Sequence, residues 1–119
     1  MKKLIAVLTI FFALTAMVSA QSHVQSGTWS VNPSVAGYNL DKNTGERTMT
    51  IDVEFSKPFD TKPTVFLSVT QLDADKDVNL RYSVEAISVS RDGFTIKVRT
   101  WADSKIYSIS GYWSAYAEK

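Results

Sequence analysis

Residues 47–55, RTMTIDVEF, place an apolar side chain at every second position from Met49 to Phe55. Polar residues such as Thr50 and Asp52 occupy the positions between them. Because successive side chains of a β-strand point to opposite faces of the sheet, this spacing predicts a strand with one buried and one exposed face. This alternation indicates an all-β fold class, since it recurs along the chain, whereas no helical stripe longer than two turns occurs.

Four more segments repeat the alternation, namely residues 64–70, 80–89, 94–98 and 106–117, the last of them interrupted at Gly111. Within residues 80–89 the inward set starts at Leu80 and changes phase between Ala86 and Ile87, which predicts a β-bulge near Ala86. Five or six antiparallel strands without helices bury their apolar faces only against each other. The sequence therefore predicts an all-β sandwich.

A hairpin turn at residues 91–93, Arg-Asp-Gly, sets the register of the two strands around it. With Ser90 opposite Gly93 and one extra residue at the bulge, the predicted pairs are Ile87 with Ile96, Val84 with Val98, Tyr82 with Thr100 and Arg81 with Trp101. Arg81 and Trp101 would then share the outer face. An indole ring offers apolar surface to a sugar ring and a guanidinium offers planar donors to its hydroxyls. A surface cation–π pair without a ligand is the alternative.

The first twenty residues have the pattern of a secretory signal peptide. Lys2 and Lys3 precede an apolar stretch from Leu4 to Ala16, and small residues lead to a cleavage position after Ala20. The apolar stretch is too short to span a bilayer, and no second one follows. We therefore expect residues 1–20 to be removed, residues 21–119 to form one domain and the product to be secreted.

Charge and residue usage exclude several classes of function. Of the 13 Lys and Arg residues, two lie in the signal peptide, so 11 basic residues stand against 12 acidic ones, a balance that predicts neither nucleic acid nor an anionic membrane as partner. There is no cysteine, and the single histidine, His23, is expected in a mobile N-terminal tail. Asp73, Asp75 and Asp77 begin like a calcium loop, but Val78 replaces its glycine. We predict no metal, no cofactor and no enzyme, although composition leaves hydrolysis by a carboxylate pair open.

Several short motifs occur in a fixed order. They are Val24-Gln25-Ser26-Gly27, residues 67–73, Asn79-Leu80-Arg81, Asp92-Gly93-Phe94, Thr100-Trp101 and Lys105-Ile106-Tyr107-Ser108. In this order and spacing the chain resembles the H-type lectin domain family, which includes snail agglutinins that bind N-acetylgalactosamine. The resemblance covers nearly all of the mature chain and is strongest from Phe55 to Trp113.

The resemblance implies a set of carbohydrate-binding residues. The site arginine of the agglutinins corresponds to Arg81, with Asn79 before it, and the site tryptophan and tyrosine correspond to Trp101 and Tyr107. The site aspartate comes from the long loop of residues 32–45, where Asp41 is the candidate. The agglutinins have a histidine directly after the tryptophan. Here that position is alanine, which removes a polar contact and with it the basis for a strict N-acetylgalactosamine preference.

The resemblance further implies a six-stranded antiparallel sandwich that assembles as a homotrimer and binds glycans ending in galactose or N-acetylgalactosamine. Three weak sites on one particle would bind such glycans by avidity. An adhesion or protein-interaction module that keeps the sandwich without sugar binding is the alternative.

Overall fold

The computed structural model describes residues 23–118, and within them it shows strands and no helix. The predicted signal peptide, residues 1–20, lies outside this range. Seven strands follow in order: β1 (His23–Val31), β2 (Arg47–Glu54), β3 (Thr64–Leu67), β4 (Gln71–Ala74), β5 (Tyr82–Ile87), β6 (Gly93–Thr100) and β7 (Ile106–Ala117). The all-β prediction is confirmed. Residues 23–118 contain no helix that is long and apolar enough to cross a membrane.

The strands form two antiparallel sheets. In the first, β7 pairs with β1 along one edge and with β3 and β4 along the other, while the second has the order β2-β6-β5. β3 and β4 lie end to end, because the N–H groups of Ser68 and Thr70 between them still donate to the carbonyl oxygens of Tyr112 and Ser110, at 2.9 Å each. The resemblance implies six strands, and the structure has seven because this edge segment is divided into β3 and β4.

The predicted interruption of the last strand at Gly111 is wrong. β7 runs without a break from Ile106 to Ala117. A Cβ atom at Gly111 would lie 1.7 Å from the carbonyl oxygen of Ser68, so the glycine permits the close approach of the β3–β4 segment. The absence of a side chain at Gly111 thus leaves room for the neighbouring strand segment.

The core lies between the sheets, as the alternation predicts. Phe94, Ile96 and Val98 of β6 are buried, and Met49 of β2 faces the same interior. From the other sheet, the ring of Trp113 packs at 5.5 Å from that of Phe94. Aromatic and aliphatic side chains of both sheets thus close one core.

The predicted bulge is present but lies two residues further along the chain. Ala86 pairs with Ile96, and Ile87 pairs with Thr95. The irregular residue is Ser88, whose φ of 54° lies in the left-handed region. The apolar pattern predicts that Ile87 faces inward, whereas the residue that resumes the inward phase is Val89. The hairpin itself is as predicted, since the Ser90 N–H donates to the Gly93 carbonyl at 2.9 Å.

Two residues and one strand also differ from the sequence-based predictions. Leu80 is 43% exposed, because β5 begins only at Tyr82 and the alternation of the strand does not extend to it. The apolar pattern does not predict β1 as a strand. The prediction that His23 lies in a mobile tail is wrong, because His23 is the first residue of β1 and its ring lies 4.4 Å from that of Phe59.

Candidate functional site

Three loops meet where β7 begins. The first connects β1 to β2, the second connects β4 to β5, and the third connects β6 to β7. The N–H of Ile106 donates to the Leu40 carbonyl at 2.9 Å, and the N–H of Asp75 donates to the Lys105 carbonyl at 3.0 Å. These bonds bring all five predicted site residues, Asp41, Asn79, Arg81, Trp101 and Tyr107, to one end of the sandwich.

Ser104 is the buried centre of one group of these residues, here called the Ser104 cluster, which comprises Asn79, Arg81, Trp101, Asp103 and Ser104. Its hydroxyl group donates to the Asn79 carbonyl at 2.5 Å and accepts from the Arg81 N–H at 2.9 Å. The side chain of Ser104 is inaccessible to solvent. A buried hydroxyl with both a donor and an acceptor partner fixes the two loops relative to each other.

Arg47 holds the backbone of the third loop in place through hydrogen bonds. Its guanidinium donates to the carbonyl oxygens of Ser104 at 2.8 Å, Ala102 at 2.7 Å and Gly45 at 3.1 Å, and the residue is only 6% exposed. Sequence reasoning missed this role. The signal was available, because Arg47 occupies the same inward phase as Met49, where a charged residue requires buried partners.

Arg81 is fixed in both backbone and side chain. Its carbonyl accepts a hydrogen bond from the Thr100 hydroxyl, and its N–H is bonded to Ser104. Its Nη1 lies 2.6 Å from Oδ1 of Asp103. The two side chains are 32% and 60% exposed, so solvent and ligands can reach this pair. Asp103 is not among the residues that the sequence predicts for the site.

Trp101 is half-buried and follows directly after β6. The guanidinium over its ring, 4.7 Å from the centroid, belongs to Arg99. The sequence suggested Arg81 for this cation, but Arg81 turns to Asp103. Arg99 lies two residues before Trp101, and side chains two apart in a strand share a face. The pairing of Tyr82 with Thr100, which underlies the predicted register, is confirmed.

Tyr107 belongs to a second group, here called the Asp75 cluster, which comprises Tyr38, Asp41, Asp73, Asp75 and Tyr107. Its hydroxyl donates to Oδ2 of Asp75 at 2.9 Å, and this hydrogen bond raises the pKa of Tyr107. Asp75 also accepts from the N–H of Asp77 at 2.8 Å. The hydrogen bond from the Asp77 N–H is the main cause that lowers the pKa of Asp75, and the hydrogen bond from the Tyr107 hydroxyl lowers it further.

Asp41 lies on the first loop, in the Asp75 cluster. Burial raises the pKa of Tyr38 to about 12, and the charges of Asp41 and Asp73 add to that effect. The Tyr38 hydroxyl donates to the Ile106 carbonyl. Oδ1 of Asp41 is buried and receives no hydrogen bond from any group among residues 23–118. Asp41 therefore keeps one acceptor that the described groups of the protein leave unused.

The arrangement offers hydrogen-bonding groups and aromatic surface but no metal centre. Within residues 23–118 no three His, Cys, Asp or Glu side chains are grouped closely enough to hold an ion. The backbone of residues 104–107 joins the two clusters, because Ser104 belongs to the first and Tyr107 to the second. Short-range polar groups and an aromatic ring on rigid loops suit the recognition of a neutral, hydroxyl-rich ligand.

Comparison with known proteins agrees with this geometry. The family model described as the H-type lectin domain matches residues 50–116. The chain is 32% identical over 98 residues to a polypeptide of discoidin-1 from Dictyostelium discoideum, covering 79% of this chain and 39% of that protein. It is also 32% identical over 71 residues to ORF 7 of the ATP synthase subunits region of Fuscovulum blasticum, covering 60% of this chain and 62% of that protein. The chain thus spans less than two thirds of each relative.

Solved structures share the fold. Discoidin II of Dictyostelium discoideum superposes with a TM-score of 0.73 at 23% identity, over 84% of this chain and 38% of that one. The tailspike gp61 of Pseudomonas phage phi297 gives a TM-score of 0.55 at 16% identity, over 82% and 16% of the two chains. The family match covers more than half of the sequence, including Arg81, Trp101 and Tyr107. The chain therefore belongs to the H-type lectin domain family, whose domains bind carbohydrate rather than catalyse a reaction.

Proposed function

We propose that this domain recognises terminal galactose or N-acetylgalactosamine with the three loops at the start of β7. The observation that carries the proposal is the accessible Arg81–Asp103 pair beside Trp101, on loops that hydrogen bonds hold together at one end of the sandwich. The partly exposed carboxylate of Asp41, on the first loop, would accept from a sugar hydroxyl. This assignment agrees with the aspartate that the family resemblance implies.

The other predicted residues contribute complementary chemistry. The half-buried ring of Trp101, with Arg99 over one face, would offer its remaining apolar surface to the C–H face of a galactose-like ring. Arg81 donates to ring hydroxyls or to an acetamide oxygen, and Asn79 lies exposed beside it. Because Ala102 stands where the agglutinins carry a histidine, the affinities for galactose and N-acetylgalactosamine are expected to be more similar. Such a shallow site binds weakly on its own.

Useful binding then depends on several sites in one particle, and we propose a homotrimer. Support comes from the first sheet, because β1, β3 and β7 contain no Lys, Arg, Asp or Glu and β4 adds a single acidic residue, Asp73. The outer face of the second sheet, by contrast, carries Asp52, Glu85 and Lys97. Interface cores are depleted in charge and enriched in aromatic residues. Large side chains exposed on the outer face of the first sheet include Val24, Phe66, Tyr112 and Tyr116.

Secretion is part of the same proposal. It rests on the basic, apolar and small-residue pattern of residues 1–20. Expression of the full chain in a host with a secretory pathway should yield extracellular protein that begins at Gln21 by mass spectrometry. Recovery of the intact chain inside the cell would count against it.

A glycan array tests the binding proposal. The wild-type protein should bind galactose- and N-acetylgalactosamine-terminated glycans, and Trp101→Ala and Arg81→Ala should each lose most of the signal. Arg91→Ala is the control, since Arg91 lies in the hairpin turn at the opposite end of β6. An array on which the wild type binds no glycan would favour the protein-interaction module instead.

A further inference from the structure

We propose that Asp103 is a second sugar-binding carboxylate, which acts with Arg81 as a donor and acceptor pair for two adjacent hydroxyl groups of the ligand. The inference rests on the proposed sugar-binding function and extends it to the recognition of a diol. Asp103 was not indicated by the sequence, and it is distinct from Asp41, which belongs to the Asp75 cluster.

The pair has unused hydrogen-bonding capacity. Among residues 23–118, the guanidinium of Arg81 makes one hydrogen bond, from Nη1 to Oδ1 of Asp103. A guanidinium carries five N–H donors and a carboxylate accepts at two oxygens. Arg81 can therefore donate to one ligand oxygen while Oδ2 of Asp103 accepts from a hydroxyl, and the ion pair stays in place.

Both members of the pair stand on fixed backbone. The carbonyl oxygens on either side of Asp103, those of Ala102 and Ser104, accept from the buried Arg47 at 2.7 and 2.8 Å. The Ser104 N–H reaches back to the Trp101 carbonyl at 3.4 Å and closes a turn with Asp103 near its tip. The backbone of Arg81 is bonded at both its N–H and its carbonyl.

This fixation separates the pair from an ordinary surface salt bridge. An exposed ion pair contributes little to stability, partly because two flexible side chains must be ordered to form it. The carboxylate of Asp103 is 60% exposed, so its ion pair contributes little to the stability of the fold. The turn that carries this carboxylate is nevertheless held in place by the core. An exposed charged group on a rigid backbone is preorganised for a ligand.

The ligand class follows from the chemistry of the pair. A hydroxyl group donates one hydrogen bond and accepts others, so one hydroxyl can donate to Asp103 while its neighbour accepts from Arg81. Two adjacent hydroxyls on a rigid ring present these roles side by side. The pair is expected to select a neutral sugar that has both hydroxyls free over one in which either is missing.

A double-mutant cycle between protein and ligand tests the inference. The dissociation constants of methyl β-galactopyranoside and of its 3-deoxy and 4-deoxy analogues would be measured by NMR titration of wild-type protein and Asp103→Asn. We expect Asp103→Asn to bind the parent sugar about fivefold more weakly, as befits the loss of one hydrogen bond. One deoxy analogue should bind both proteins equally, because the lost partners are the same. Asp92→Asn is the matched control, in the distant hairpin turn.

The possible results discriminate between the two proposals. The role of Asp103 is wrong, while the sugar site stands, if Asp103→Asn binds the galactoside as well as the wild type does. The same conclusion follows if the Asp103→Asn substitution and the removal of a sugar hydroxyl weaken binding independently for both analogues. If the wild type binds none of the galactosides, the proposed function fails and this inference fails with it. Asp103→Glu, which keeps the carboxylate, should recover part of the lost affinity.

Discussion

The guanidinium of Arg47, at the start of β2, donates a hydrogen bond of 2.8 Å to the carbonyl oxygen of Ser104, 57 residues later in the chain. The same group holds the carbonyl of Ala102, whose φ of 58° is unfavourable for a residue with a Cβ atom. One buried cation therefore maintains the conformation of the loop that carries Trp101 and Asp103.

Replacing Arg47 with Met should destabilise the protein and loosen this loop. Truncation leaves buried carbonyl oxygens without donors, and hydrogen bonds to charged groups contribute more than neutral ones, so we expect a loss of about 3 kcal/mol. Urea denaturation measures the loss. Arg47→Lys should recover little, because an ammonium group lacks the planar fork that reaches several carbonyls at once. Equal stability of Arg47→Met and wild type would contradict this role of Arg47.

Gly111→Ala should disrupt the contact between β7 and the β3–β4 segment. The added Cβ atom would meet the Ser68 carbonyl oxygen at 1.7 Å, and this obstacle is backbone that cannot move aside as a side chain can. We expect a cost of about 3 kcal/mol or more, at the upper end of overpacking effects. Thermal unfolding followed by circular dichroism is the measurement, with the outward-facing Ser114→Ala on the same strand as a control that changes stability by less than about 0.5 kcal/mol.

The sequence determined the fold class because burial follows the alternation of side chains along each strand. Met49, Phe94 and Ile96 are buried where their positions predict it. The bulge was also detectable, since a change of phase requires one extra residue. Its position at Ser88 was not, because the backbone angle that absorbs the extra residue leaves no mark in the apolar pattern.

The site could be predicted only in part, and for a related reason. Family resemblance supplied Arg81 and Trp101, and the structure brings their loops together through Ser104. The partners of their side chains, Asp103 and Arg99, depend on how a short connection turns, which alternation does not describe. Exposed polar residues in loops carry no periodic signal, so their pairing emerges only in three dimensions.

Tyr38 should make stability depend on pH in the alkaline range. Its pKa is raised from 10.0 to about 12, chiefly by burial. Between these values the unfolded chain loses the phenolic proton and the folded chain retains it, so the unfolded state binds fewer protons and stability falls as the pH rises. The contribution is complete below pH 10 and is lost as the pH rises to about 12.

Comparison with Tyr38→Phe isolates this effect. The variant loses the hydrogen bond to Ile106 and should be about 1 kcal/mol less stable at pH 8. It has no phenol to ionise, so its deficit relative to wild type should shrink as the pH approaches 12. Urea midpoints of both proteins at pH 8, 10 and 11.5 give the comparison. A deficit that is constant across this range would show that Tyr38 ionises equally in both states.

Phe66→Glu should convert the proposed homotrimer into monomers without unfolding the domain. Phe66 is 58% exposed on the outer face formed by β1, β3 and β7, whose strands carry no Lys, Arg, Asp or Glu, and its ring is stacked on that of Tyr116 at 5.8 Å. In a cyclic trimer the same contact is repeated three times, so one substitution buries an unpaired charge at every contact. Size-exclusion chromatography with light scattering should give three times the protomer mass for wild type and a single protomer for the variant. Thr50→Glu, on the outer face of the second sheet, should remain trimeric. A wild-type monomer, or a trimer that tolerates Phe66→Glu, would show that this face does not hold the assembly together.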